Sequence, residues 1–407
     1  MPTDRCGVWI VGAYGGVATT AALGIAALKR DLVPTTGMVT ELDLFRGLNL
    51  PKVAQLVVGG HDVRRVGFLD AARELQAKSG VFDEKLLRAC QSQFAEWDEN
   101  IRPGTVRGSG KTVAKLSSWN GAAGRESAAD IVAQLSDDLH KFKERHRLVS
   151  VVVINLASTE PPFELGADHQ AWDRLSKTLR KKTATVLPSS SLYAIAALSQ
   201  GFAYVNFTPS LGATVPAIEE LAANQGALYG GQDGKTGETL LKSVLAPMFR
   251  YRNLEVLSWV GHNIFGNRDG LVLDDPENKK SKIKTKDQVI TQILGYKPQT
   301  HVSIEYIESL DDWKTAWDHI HFRGFLGTKM ILQFTWQGCD SLLAAPLVID
   351  LARLTLFEQS RGGSGLMKHL ACFFKRPLGV ETHNLFEQWN LLEGYVANAS
   401  ESGIVRV

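Results

Sequence analysis

The chain has 407 residues, 44% hydrophobic and 22% charged, which is enough to bury a large core and ordinary for a soluble globular protein of about two domains. A net charge of +2 argues against a strong general attraction to nucleic acid or to a membrane surface. Cys6, Cys90, Cys339 and Cys372 lack paired spacing, which suits free thiols in a reducing compartment and not a disulfide framework or zinc site.

The first element expected is a strand over residues 7–12 (GVWIVG), an apolar run bounded by glycines. Strand-like sequence this early leaves no room for a signal peptide, and no apolar run reaches membrane-spanning length, so a cytoplasmic location is expected. Residues 17–30 follow with helical spacing, and Thr36 to Val39 reads as a second short strand leading to Glu41. Amphipathic helices are expected over residues 83–97 and 126–143. A strand buried on both faces follows at Leu148 to Leu156, then a helix at Leu192 to Gln200 and a strand at Phe202 to Phe207. Beyond about residue 250 the rhythm changes. Leu254 to Val260, His301 to Ile307 and Lys329 to Trp336 read as strands with fewer helices between them, and Leu342 to Phe357 as a long returning helix. The expected class is α/β: a Rossmann-type parallel sheet with helices on both faces, over residues 1–240 and 342–407. Inserted in it is a smaller α+β domain, residues 241–341, for catalysis and oligomerisation.

Several motifs carry chemistry. Gly12-Ala13-Tyr14-Gly15-Gly16, with Val17 opening the helix, lies between the first strand and the first helix. Small residues there let the backbone approach a pyrophosphate, which the helix N-terminus attracts. Asp62 in GGHD and Glu41 compete as partner of a ribose 2′-hydroxyl. Gly108-Ser109-Gly110-Lys111-Thr112 imitates a P-loop, but Thr105 stands where that motif needs glycine. Asp233, in GQDGKTGET, could meet phosphate or ribose hydroxyls, or cap a helix. Asp340 could be an N-cap or a cofactor-side carboxylate. Lys375 follows two phenylalanines, so it either snorkels to the surface or sits desolvated with a depressed pKa.

The most informative stretch is Gly261 to Lys286. Its Gly/Asn/Asp segment, with Asn263, Asn267 and Asp269, suits a turn that exposes backbone N–H groups. Lys282 and Lys286 stand four apart, so on a helix their ammonium groups share a face and together attract a dianion. His319 and His321 lack a third nearby ligand and read as structural, and Lys177, Arg180, Lys181 and Lys182 as a solvated helix face.

These residues also resemble a family, the myo-inositol-1-phosphate synthases, in their shorter prokaryotic branch. The resemblance rests on Asn263 to Gly270 with Ser281 to Lys286, on Val8 to Thr20, Asn155 to Pro162, Asn206 to Ser210, Gly230 to Phe249, Cys339 to Ala352 and Phe373 to Pro377, in order along nearly the whole chain. It implies NAD in the first glycine loop, Asp62 near the adenosine, Ser158 and Thr159 at the cofactor, Asp233 near the nicotinamide and Asp340 on the cofactor side. It also implies a redox-neutral conversion of D-glucose 6-phosphate to a myo-inositol monophosphate by oxidation at C5, enolisation, aldol closure and reduction. Lys282 would transfer a proton at the C5 oxygen. Lys314 and Lys375 would stabilise the enolate and the C1 alkoxide, and Lys286, Asn263 and Asn267 would hold the phosphate. A hard divalent cation, if bound, would sit against Asp269 and the substrate phosphate. Members of the family assemble through the second sheet, usually as tetramers. The chain departs from the longer members in its glycine loop, in Arg268 where asparagine is common, and in lacking a long N-terminal extension. An ordinary dehydrogenase of a phosphorylated substrate and a non-catalytic NAD-binding relative are the alternatives.

Overall fold

The computed structural model of the chain describes residues 4–119, 126–182, 186–266 and 289–402. Seven parallel strands form the main sheet in the order β11-β6-β5-β4-β1-β2-β3. They are β1 (Cys6–Val11), β2 (Leu56–Asp62), β3 (Ile101–Pro103), β4 (Ser150–Asn155), β5 (Ala203–Asn206), β6 (Leu228–Gly231) and β11 (Gly365–Leu366). The order in which strands are added reverses between β1 and β4, parallel neighbours that pair from Cys6 with Ser150 to Val11 with Asn155. The crevice outside the carboxyl ends of two such strands is where this architecture binds ligands.

The period of two along β1 feeds two cores. Val8 and Ile10 face the layer of helix α1 (Gly16–Leu28) and the helix Asp340–Ser360. Trp9 and Val11 face the layer of the helices Ala128–His146 and Ser189–Leu198. The central strands are buried on both faces, hence their near-continuous apolar sequence.

The expected second strand at Thr36 to Val39 does not form. Val39–Glu41 is a short 3-10 turn, and Leu56–Asp62 takes the strand position instead. Asp350 holds the turn by accepting from Val39 N (2.7 Å) and Thr40 N (3.0 Å), and Glu41 pairs with Arg353 at 2.5 Å. These long-range partners outweigh local β propensity.

The second sheet has the order β10-β9-β7-β8. Its strands are β7 (Glu255–Phe265), β8 (Gln299–Tyr306), β9 (Trp313–Arg323) and β10 (Lys329–Cys339). β7 runs parallel to β8 and antiparallel to β9, and β9 is antiparallel to β10. One face packs Trp259 and Ile320 on Ala246, Phe249, Ile290 and Ile293. The helix Gly237–Tyr251 supplies Ala246 and Phe249, while Thr236 and Thr239 at its start line the crevice of the main sheet. It therefore ties the two sheets together.

Candidate active site

A cavity of about 600 Å³ opens at the carboxyl ends of β1, β2, β4, β5 and β6 and extends to Phe265 and Lys314 of the second sheet. That volume is in the range of small-molecule sites. Gly12, Tyr14, Gly15, Gly16 and Val17 line one end of it. Gly12 sits at φ +82°, and a Cβ there would stand 2.9 Å from Ala157 Cα, so the loop closes only with glycine. At Gly16 a Cβ would meet Ser341 Oγ at 2.6 Å. No side chain caps the first turn of α1, which leaves its N-terminal dipole toward the cavity.

The end of β2 fixes this loop. His61 O accepts from Gly12 N (2.8 Å) and Ala13 N (3.1 Å). The Asp62 carboxylate accepts from Tyr14 N (2.7 Å) and Arg64 N (2.7 Å). His61 is sealed from solvent, accepts from Trp9 Nε1 at 2.8 Å and faces Asp138 at 3.2 Å. Burial holds its pKa below the ordinary value, against the pull of Asp138, so the ring is neutral and structural. Asp62 lines the cavity, and Glu41, spent on Arg353, is not among the lining residues.

At the β5 and β6 end, Asp233 adopts φ +64° and accepts from Lys375 Nζ at 3.0 Å. Burial disfavours the Lys375 charge, but the Asp233 carboxylate outweighs it and raises the pKa. Of the two states open to Lys375, the desolvated lysine with a depressed pKa is thus not the one formed. The depressed lysine is its neighbour Lys235, pushed by burial down to about 8 beside Gln388. Asp233 is no helix cap, because the helix after it starts at Gly237.

From the second sheet, Lys314 Nζ stands 3.8 Å from Asp340 Oδ2 and 5.1 Å from the ring centre of Phe265. Asp340 is the first residue of its helix, not the N-cap, and its Oδ1 is buried without a hydrogen-bond partner among the described residues. Asn263, on the same face of β7 as Phe265, is fully buried, and both its amide atoms lack partners among the described residues. Asn263 is not itself among the residues that line the cavity.

The structure therefore gathers Gly12, Tyr14, Gly15, Gly16, Val17, Asp62, Ser158 and Thr159 with Asp233, Lys314, Asp340 and Lys375 around one cavity. Ala13, in the same loop, is fully buried behind it. Lys282, Lys286, Asn267, Arg268 and Asp269 lie outside the described residues. Among the described residues no group of three His, Cys, Asp or Glu gathers as a metal site. Lys111 begins a helix of five residues, with Gly110 as its N-cap, after the three-residue edge strand β3, so the P-loop look-alike has no buried strand behind it.

Sequence reasoning missed several lining residues. Arg64, Glu74 and Lys78 enter from the segment after β2 and from α2 (Phe68–Ser79). The signal was readable: Ala71, Glu74, Leu75, Lys78 and Ser79 repeat at helical spacing and all reach the cavity. Glu160 was also missed. Its carboxylate accepts from Ser190 N at 2.7 Å and from Ser190 Oγ in the first turn of the helix Ser189–Leu198. Burial nevertheless pushes its pKa up to about 7.

The strand order, the glycine loop at the reversal point and the carboxylate–lysine pairs define a dinucleotide-binding α/β protein with a second, mixed sheet closing its crevice. The comparisons narrow the class. The model of the myo-inositol-1-phosphate synthase family matches residues 6–396, and the chain belongs to that family. It is 32% identical to inositol-3-phosphate synthase 1 of Bacteroides thetaiotaomicron, over 97% of this chain and 96% of that one. The fold is that of inositol-3-phosphate synthase from Caenorhabditis elegans, with TM-score 0.87, 22% identity, and 98% and 86% of the two chains covered. A myo-inositol-1-phosphate synthase-related protein from Thermotoga maritima matches with TM-score 0.77 and 25% identity, over 97% and 98% of the two chains.

Proposed function

We propose that the chain catalyses the NAD-dependent, redox-neutral conversion of D-glucose 6-phosphate to inositol 3-phosphate, the product named in its relatives. The observation that carries this reading is the pair of lysines, Lys314 and Lys375, each facing a carboxylate, on the wall of the cavity that the glycine loop opens. The loop fits a dinucleotide: bare backbone at Gly12 and Gly16, an uncapped helix N-terminus, and Asp62 at the adenosine end. Bound NAD supplies a hydride acceptor that later returns the hydride.

The chain's own residues manage charge and protons. Enolisation and ring closure both move negative charge onto oxygen, and fixed ammonium groups in a partly dry site stabilise it. Lys375 keeps its proton because Asp233 holds it there, and so meets a developing oxyanion as a full positive charge. Lys314 approaches the same cavity from β9, beside Asp340. We assign Asn263, Asn267 and Lys286 to the substrate phosphate, and Lys282 to the proton at the C5 oxygen. A hard divalent cation against Asp269 and the phosphate belongs to the same reading, and activity that survives exhaustive chelation removes it.

The reading extends to assembly. We assign residues 241–341 to catalysis and to a homotetramer contact, and residues 1–240 and 342–407 to the cofactor. The outward face of the second sheet supports this, with Trp317 41% and Ile331 62% exposed, and Phe325 88% exposed at the tip of the hairpin between β9 and β10. A single-chain mass by analytical ultracentrifugation would remove the contact. Four free cysteines support a cytoplasmic location. No helix among the described residues is long and apolar enough to cross a membrane.

The test is incubation with glucose 6-phosphate and catalytic NAD+, followed by phosphorus NMR and absorbance. An inositol phosphate signal without net NADH is expected. Stoichiometric NADH would instead identify a dehydrogenase, and no conversion with NAD bound would identify a non-catalytic relative.

A further inference from the structure

The segment GGHDVRR carries two contradictory signals. An acidic residue at the end of the second strand suits a free ribose 2′-hydroxyl, whereas an arginine just beyond it suits a 2′-phosphate. Asp62 and Arg64 both line the cavity. The contradiction is resolved by a residue twelve positions from Asp62 on α2.

We propose that Glu74 is the residue that closes this dinucleotide site to a 2′-phosphate, by occupying Arg64 and Lys78. Glu74 Oε2 lies 3.6 Å from Arg64 Nη1, and Glu74 Oε1 accepts from Lys78 Nζ at 3.2 Å. Arg64 Nε lies 3.9 Å from Asp62 Oδ1, and its Nη2 donates to Tyr14 O in the glycine loop. Arg64 is 13% exposed in its side chain, so its guanidinium is held against the cavity wall. Arg65 does not compete, because it lies over the Trp119 ring at 5.6 Å. Among the described residues, this end of the cavity thus sets Arg64 and Lys78 against Asp62 and Glu74. A ribose hydroxyl enters without disturbing that balance. A phosphate dianion must displace Glu74 from both cations and then sit beside two carboxylates, where like charges repel. Helical spacing fixes the arrangement, since Glu74 and Lys78 are i, i+4 neighbours on the face of α2 that looks into the cavity.

The inference rests on the dinucleotide reading of the site, and one experiment separates the two. NAD+ and NADP+ binding to cofactor-stripped protein is measured by calorimetry for the natural chain, for Glu74→Gln, for Glu74→Ala, and for Glu74→Gln combined with Arg64→Met. Glu74→Gln and Glu74→Ala should each bind NADP+ at least about tenfold more tightly than the natural chain, the gain expected from a released charge-assisted hydrogen bond. NAD+ affinity should change far less, which also reports that the variants are folded. Added salt should shrink the gain, and Arg64→Met should cancel it. NADP+ affinity unchanged in both Glu74 variants, with NAD+ binding intact, overturns the inference. So does a natural chain that binds both cofactors equally. A natural chain that binds neither overturns the dinucleotide reading itself and the inference with it.

Discussion

Glu160 gives a prediction whose sign and size both follow from the structure. Its carboxylate faces the N-terminus of the helix Ser189–Leu198 and accepts from Ser190 N and Ser190 Oγ, which favour the charged form. Burial wins, and the pKa rises from 4.5 to about 7. Below about pH 4.5 the group is protonated in both the folded and unfolded chain, and its full contribution to stability is present. Between about pH 4.5 and about pH 7 the unfolded chain releases the proton and the folded chain keeps it, so stability falls as pH rises. The loss totals about 3 kcal/mol, from a shift of 2.5 pH units at 1.36 kcal/mol each. Glu160→Gln removes this titration while keeping the shape. The assay is urea unfolding of both proteins across that pH range, taking the difference between them so that other groups cancel, Asp350 with its pKa near 6 included. The natural chain should lose about 3 kcal/mol relative to Glu160→Gln between the acid and neutral ends of the series. A difference that stays flat with pH, or that favours the natural chain as pH rises, would refute the reasoning.

Three further outcomes are expected. Gly12→Ala places a Cβ 2.9 Å from Ala157 Cα at a φ of +82°, so strain of about 1–3 kcal/mol should shift the loop. NAD+ affinity, measured by calorimetry, should then fall at least about tenfold. Asp233→Asn removes the carboxylate that offsets burial at Lys375, so the Lys375 pKa should drop. That drop should appear as faster acylation of Lys375 at neutral pH, quantified by mass spectrometry, and an unchanged rate contradicts it. Lys242 is 2% exposed, 2.6 Å from Glu238 and 3.9 Å from Asp318, beneath Gly261. Lys242→Met takes the cation from two buried carboxylates and should cost about 3–5 kcal/mol in urea unfolding, where a loss under about 1 kcal/mol would sink the argument.

What the sequence disclosed followed from how local each signal was. The loop between β1 and α1 was legible because a strand, a glycine turn and a helix declare themselves within a few residues. β2 was not, because Gly59 and Gly60 weaken a strand pattern. They are there for packing: a Cβ at Gly60 would stand 2.3 Å from Ile10 O, and one at Gly59 2.8 Å from the Phe142 ring. That requirement exists only once β1 and the helix Ala128–His146 are in place. Glu41 could stand as a rival to Asp62 for a related reason, since Arg353, far along the chain, decides its position. β9 was passed over although its alternation is plain in retrospect. Ala316, Asp318 and Ile320 turn inward, and Asp318 is accommodated there by accepting from Trp259 Nε1 at 2.6 Å. The same logic separates the two lysines of interest near the site. Lys375 and Lys235 both sit in buried surroundings, yet a carboxylate 3.0 Å away raises one while burial lowers the other. A motif can therefore nominate a lysine for catalysis, but its protonation state is set by a partner that chain folding alone supplies.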